Sequence, residues 1–240
     1  MNLVNITFLA LEYFISVAVV LGMIKLFGKL GTYVALATLI IASNIGVMKL
    51  YQIFGIDVTA ANMSMGLTFA IYSIVTEVYG KKEGQKAVWI GFLAQLVFVV
   101  LGLVYVGYIP SSSDTAHEYL SKLFAITPRV AFASWLAFIV SGYVAVWTHN
   151  ALRNRTKLWL RNNVATKIGQ IVDNLIFCVL VFVGILEFKV ILFVVLTTTF
   201  VEFLLDYADT WAVYVGVKLL RAENCQNEGG KECDPSFGKK

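Results

Sequence analysis

The sequence predicts an all-α integral membrane protein, a polytopic bundle of about seven transmembrane helices with its N-terminus outside and its C-terminus in the cytoplasm. Three observations carry this. Of 240 residues, 59% are hydrophobic and 14% charged, and the mean hydropathy is +0.78, where an ordinary soluble domain carries about a quarter charged residues. Apolar runs recur at the roughly 20-residue length that crosses a hydrocarbon core. The basic residues between those runs gather on alternate connections. Only 3 prolines, 18 glycines and no sustained apolar/polar alternation favour helices over a closed β-barrel.

The expected spans are 6–27, 31–54, 60–80, 86–109, 129–149, 167–187 and 189–218. The first has no basic residue before it, is interrupted by Glu12 and lacks a small-residue cleavage site ahead of Gly31, so it is expected to stay in the mature chain. The last is longer than a bilayer requires, which tilt or a cytosolic extension accommodates. Residues 1–222 form the transmembrane domain of this reading, and 223–240 a disordered, polar cytoplasmic tail.

Orientation follows from the 19 Lys and Arg residues. All but Lys49, Lys122, Arg129 and Lys189 fall on one side of a seven-span arrangement, and that side is the cytoplasm. The net charge of +4 is thereby explained by topology, with no nucleic-acid partner needed. Pro110 to Pro128 reads as a polar external loop. Arg153 to Asn163, with Trp159, reads as a short interfacial helix.

Cysteine and histidine usage exclude a structural zinc site, because His117 and His149 are far apart and the three cysteines form no pair of pairs. Reduced thiols are expected at Cys178, Cys225 and Cys233. No cofactor is implied.

Polar residues inside the spans carry the functional signal, since each is costly there. Gln170, Asp173 and Asn174 lie at i, i+3 and i+4 of the sixth span, one helical face. Glu202, Asp206 and Asp209 make a second stripe, at i, i+4 and i+7, preceded by Thr197, Thr198 and Thr199. Three carboxylates so spaced cannot all stay ionised in a dry site, which makes the stripe a candidate for proton or cation coupling. Asn44 follows Ser43 in the second span, and Glu77 sits a turn from the cytosolic end of the third, on the face of Gly66, Ala70 and Ser73. Arg129 opens the fifth span ahead of Ser134; its planar fork suits a carboxylate or carbonyl, or it snorkels to water. The structural readings beside these are a helix-to-helix hydrogen bond for Asn44, an internal brace for Gln170 and Asp173, an interfacial acid near lysines for Glu77, and a place near the cytosolic interface for the lower acids of the stripe.

Taken together, Ser43-Asn44, Thr76-Glu77-Val-Tyr79-Gly80-Lys81-Lys82, Arg129-x4-Ser134 and Trp159-Leu-Arg161-Asn162-x3-Thr166-x3-Gln170-x2-Asp173 resemble the queuosine-precursor transporter family, also known as the vitamin uptake transporters. The resemblance runs from about residue 40 to 187. It implies a small homodimeric carrier in the inner membrane of a prokaryotic cell that imports 7-deazaguanine bases (preQ0, preQ1 or queuine) for tRNA modification. The substrate-binding residues it implies are Asn44, Glu77, Arg129, Ser134, Gln170 and Asp173. Such a base is flat, apolar on its faces and edged by donors and a carbonyl, which a carboxylate and planar amides can read. Two positions depart from the family pattern: Ala145 stands where an acid is common, and Glu202 where a lysine is common. They leave the preferred base open.

Two other classes stay in view. One is the substrate-binding subunit of an ATPase-energised importer, since this chain has no Gly-x4-Gly-Lys-Ser/Thr motif of its own. The other is a membrane enzyme, for which no His-Glu-x2-His or Gly-x-Ser-x-Gly motif is present.

Overall fold

The computed structural model describes residues 3–53, 56–125 and 128–227, and these are helical apart from one short hairpin. The first helix, α1 (Leu3–Gly46), is two antiparallel arms rather than one rod. A straight helix of 44 residues would be about 66 Å long, yet Asn5 donates to the carbonyl of Gln52 at 2.9 Å, so the two ends meet. The reversal is at Gly28, whose φ of 54° and ψ of −128° belong to a region that side chains resist. A Cβ there would also strike the Glu223 carboxylate. That carboxylate accepts the backbone N–H of Lys29 at 3.1 Å, giving the second arm's first turn an acceptor of favourable sign. The expected break between the first two spans is therefore present.

The second arm does not continue to residue 54 as expected. It stops at Gly46, and β1 (Leu50–Ile53) pairs antiparallel with β2 (Ile56–Thr59), Leu50 opposite Thr59. The returning chain lies so close that a Cβ on Gly46 would sit 2.8 Å from the Ala60 carbonyl oxygen.

The central helix is α2 (Asn62–Tyr79), buried almost continuously from Met63 to Glu77. Gly80, at φ 86°, separates it from α3 (Lys81–Gly107). The two pack closely through α3 glycines: a Cβ on Gly84 would lie 2.2 Å from the Thr76 hydroxyl oxygen, and one on Gly91 would lie 3.2 Å from the Tyr72 hydroxyl. Small residues let membrane helices approach in this way.

The loop after α3 holds a short helix, α4 (His117–Leu123), started by Asp114, whose Oδ1 accepts the N–H groups of Ala116 and His117. Then come α5 (Pro128–Leu152) and α6 (Leu158–Phe182). The segment expected as a separate interfacial helix is instead a turn followed by the first residues of α6, because Arg161 finds buried partners and need not stay at the surface. The long final run also divides, into α7 (Phe188–Asp206), a 3-10 turn (Tyr207–Asp209) and α8 (Thr210–Asn227). Residues 223–227, assigned to the tail by sequence, belong to α8. Cys178 is free and buried, whereas Cys225 is disulfide-bonded, so the reduced state expected of it from compartment alone is corrected.

Four helices, α1, α3, α5 and α6, are long and apolar enough to cross a membrane, and Phe188–Phe200 of α7 is a shorter apolar stretch. Their outward faces are covered with Leu, Val, Phe and Ile, among them Leu26, Leu101, Phe132 and Phe193. The protein is a helical, multi-pass membrane protein whose polar groups face inward.

Candidate functional site

Two polar clusters occupy the interior, one at an end of the bundle and one at its middle. The end cluster is built on Glu77, in the last turn of α2 and only 1% exposed. Its Oε1 accepts from Arg161 of α6 at 2.7 Å and Arg221 of α8 at 3.1 Å, and its Oε2 lies 3.1 Å from His149 Nε2 of α5. Arg153 donates to the Glu77 carbonyl at 2.6 Å, and Arg161 also donates to the carbonyls of Arg153 and Thr156. One carboxylate thus ties four helix ends and the α5–α6 turn, with positive charge in excess. Both of its oxygens are occupied, and its place in the interior agrees with the helical face it shares with Gly66, Ala70 and Ser73.

The middle cluster lies between α2, α3, α5 and α6. Asp173, near the middle of α6, accepts from Ser141 of α5 at 2.9 Å. Tyr72 of α2 is wholly buried, within electrostatic reach of Asp173, and its hydroxyl has no hydrogen-bond partner. Gln170, one turn before Asp173, is 4% exposed, with Oε1 equally unpartnered. Gln95 of α3 donates to the Ser134 hydroxyl at 3.1 Å and leaves its own Oε1 without a partner. An unsatisfied buried polar atom costs about 1–3 kcal/mol, and three such atoms, on α2, α3 and α6, lie in the interior of the bundle. Buried polar groups left without a protein partner call for another one.

The remaining expected residues fall elsewhere. Asn44 turns its amide back on its own helix, to the Ile40 carbonyl at 2.8 Å, while neighbouring Ser43 bridges to Ser64 of α2. Arg129 is exposed and donates to the carbonyls of Leu180 and Val183, holding the last turn of α6 as a cation suited to a helix C-terminus. Asn174, adjacent to Asp173 in sequence, faces α7 and donates to Glu202 at 2.8 Å and Thr199 at 3.1 Å. Asp209 is buried in the 3-10 turn. Asp206 ends α7, and its side chain lies outside the described residues. The acidic stripe is not one helical face, since the turn at Tyr207 interrupts it. Among the described residues, no three His, Cys, Asp or Glu side chains are grouped to hold a metal ion.

Sequence reasoning missed Tyr72, Gln95 and Ser141. Gln95 was findable as a lone amide in the middle of an apolar span. Tyr72 and Ser141 carry no such signal, because membrane helices use both types freely in packing.

A multi-pass helical membrane protein with an inward-facing, incompletely bonded polar core is a solute carrier in design, and the comparisons agree. Residues 59–216 match the family described as "Putative vitamin uptake transporter". The chain belongs to this family of transporters. It is 34% identical over 219 residues to the "Probable queuosine precursor transporter" of Bacillus subtilis (strain 168), covering 89% of this chain and 93% of that one. It is 24% identical over 145 residues to the "Queuosine precursor transporter" of Escherichia coli (strain K12), covering 60% and 63%. No solved structure matches the chain. Bacterial relatives and long apolar helices place it in the inner membrane.

Proposed function

We propose that the protein imports 7-deazaguanine-type bases, the precursors of queuosine, and that the middle cluster binds them. The observation that carries this is the buried Asp173 carboxylate with the unpartnered Tyr72 hydroxyl within its electrostatic reach and the unpartnered Gln170 amide oxygen one turn away on α6. Asp173 is suited to accept two parallel N–H donors from the guanine-like edge, and the Gln170 amide to meet the ring carbonyl. Ser134 contributes through Gln95. Asn44, Arg129 and Glu77 act at one remove, as braces of the helices that form the site. The names of the two relatives support the substrate class.

In this reading the two arms of α1, with α2, α3, α5, α6 and the run of α7 with α8, make seven passes, and the basic Glu77 end faces the cytoplasm. Glu202, with Asp206 and Asp209, couples transport to protons or another cation, and two chains associate as a homodimer. The test is uptake by cells that cannot make queuosine precursors, carrying this gene and fed each base in turn, with queuosine in tRNA as readout. Growth on every base without queuosine appearing in tRNA overturns the proposal.

A further inference from the structure

Between the first arm of α1 and the hairpin lies a cavity of about 180 Å³, at the end of the bundle opposite Glu77. Asn5, Phe8, Glu12, Lys49 and Tyr51 line it. Glu12 is the one acid of the first arm, and no ion pair joins it to a described cation. It lies near Ser64, in the first turn of α2, where a helix N-terminus favours an anion. Lys49, on another wall of the cavity, is also without an ion pair. The Tyr51 hydroxyl is buried with no hydrogen-bond partner, within electrostatic reach of Glu12. A carboxylate and an ammonium share one small cavity without meeting, beside an unsatisfied hydroxyl and an aromatic wall.

We infer that this cavity is a second binding site for the guanine-like edge of the transported base, an entry site occupied before the middle cluster. The inference rests on the substrate class proposed above. The Glu12 carboxylate takes the ring N–H and the exocyclic amine as a bidentate pair, and Lys49 donates to the adjacent carbonyl. Phe8 and Tyr51 cover the faces of the ring. A 7-deazapurine lacks the N7 acceptor, so the carbonyl is the acceptor left on that flank for a cation to find. The matched family region begins at residue 59, and Glu12, Lys49 and Tyr51 all lie before it. The first arm thereby acquires a role in substrate capture.

The test uses the full chain in lipid nanodiscs, with 7-cyano-7-deazaguanine and its analogue lacking the exocyclic amine as probes for calorimetric binding. Asp173→Asn should leave a weaker binding event that prefers the amine-bearing base. Adding Glu12→Gln, which keeps the side chain's size and removes its charge, should weaken that remaining event by about 10-fold or more and erase the preference. Tyr51→Phe, which removes only the hydroxyl, should weaken it in the same direction if the Glu12 variant is poorly folded. If Asp173→Asn alone removes all binding while the wild type binds one base per chain, the entry site is wrong and the proposed function stands. If the wild type binds neither base, both fall.

Discussion

Arg161 donates to the Glu77 carboxylate at 2.7 Å, joining residues 84 positions apart where α2, α5, α6 and α8 converge. The pair is nearly dry, and Arg221 and His149 complete the carboxylate's coordination. Removing one member of a buried pair leaves the others uncompensated, at a cost of about 3–5 kcal/mol. Glu77→Ala should therefore lower thermal stability sharply in detergent, and Glu77→Gln less, because the amide keeps one oxygen to accept. A Glu77→Ala protein that melts with the wild type would show that the network contributes little to holding the helices together.

Asp173→Asn and Gln170→Ala should abolish or cripple uptake while leaving the protein folded in the membrane. The loss of a charge-assisted hydrogen bond, about 1.5–3 kcal/mol, corresponds to roughly 10- to 100-fold in affinity. Ser141→Ala should have a smaller effect, since it supports Asp173 without contacting the base. Wild-type uptake rates in both the Asp173 and Gln170 variants would remove the middle cluster from the transport path.

The helical membrane class and the residues of α2, α3 and α5 were legible because hydropathy reports burial in lipid directly. Three features were not, for distinct reasons. The hairpin at Leu50–Thr59 lies in a short apolar run, where hydropathy alone does not separate strand from helix. The start of α6 was hidden by Arg161, whose charge reads as surface until its partner on α2 is known. Asp173 and Asn174 read as one polar face, yet they serve different neighbours, Ser141 of α5 and Glu202 of α7. Adjacent helical residues point about 100° apart, and which pair of helices each meets is set by the tertiary packing. Glu77 was correctly expected in the interior, but its partners lie 72 to 144 positions downstream.

A cysteine introduced as Ser112→Cys should react with an impermeant thiol reagent added to intact cells, and Asn154→Cys should not. Ser112 lies in the loop before α4, and Asn154 in the turn between α5 and α6, at the basic end. The proposed orientation, drawn from the positive-inside bias, has that end in the cytoplasm. The reverse labelling pattern would invert the orientation and with it the proposed direction of transport.

Gly28→Ala should destabilise the protein by about 1–3 kcal/mol, the usual cost of forcing a side chain into a sparsely populated backbone region. The added methyl would also displace Glu223 from the Lys29 N–H. Pairing it with Glu223→Ala separates the two effects. A double variant as unstable as Gly28→Ala alone assigns the loss to the backbone, and recovery to the clash. A Gly28→Ala protein as stable as the wild type would mean that the reversal of α1 does not depend on glycine.

Glu202 offers the sharpest test of energy coupling, because Asn174 donates to it at 2.8 Å from the helix that also carries Asp173. A proton gained or lost at Glu202 would change that hydrogen bond, and so could be felt one residue away at the binding face. Glu202→Gln should flatten the pH profile of uptake and remove stimulation by an imposed proton gradient, while base binding in detergent is retained. Asn174→Ala should alter the profile without removing the titrating group, and so separates coupling from bracing: if α6 and α7 are only held together here, both variants lose thermal stability and leave the profile unchanged. Wild-type uptake that is constant from about pH 5.5 to 8, a range in which perturbed carboxyl groups titrate, and indifferent to an imposed gradient would exclude proton coupling at Glu202 and leave facilitated diffusion.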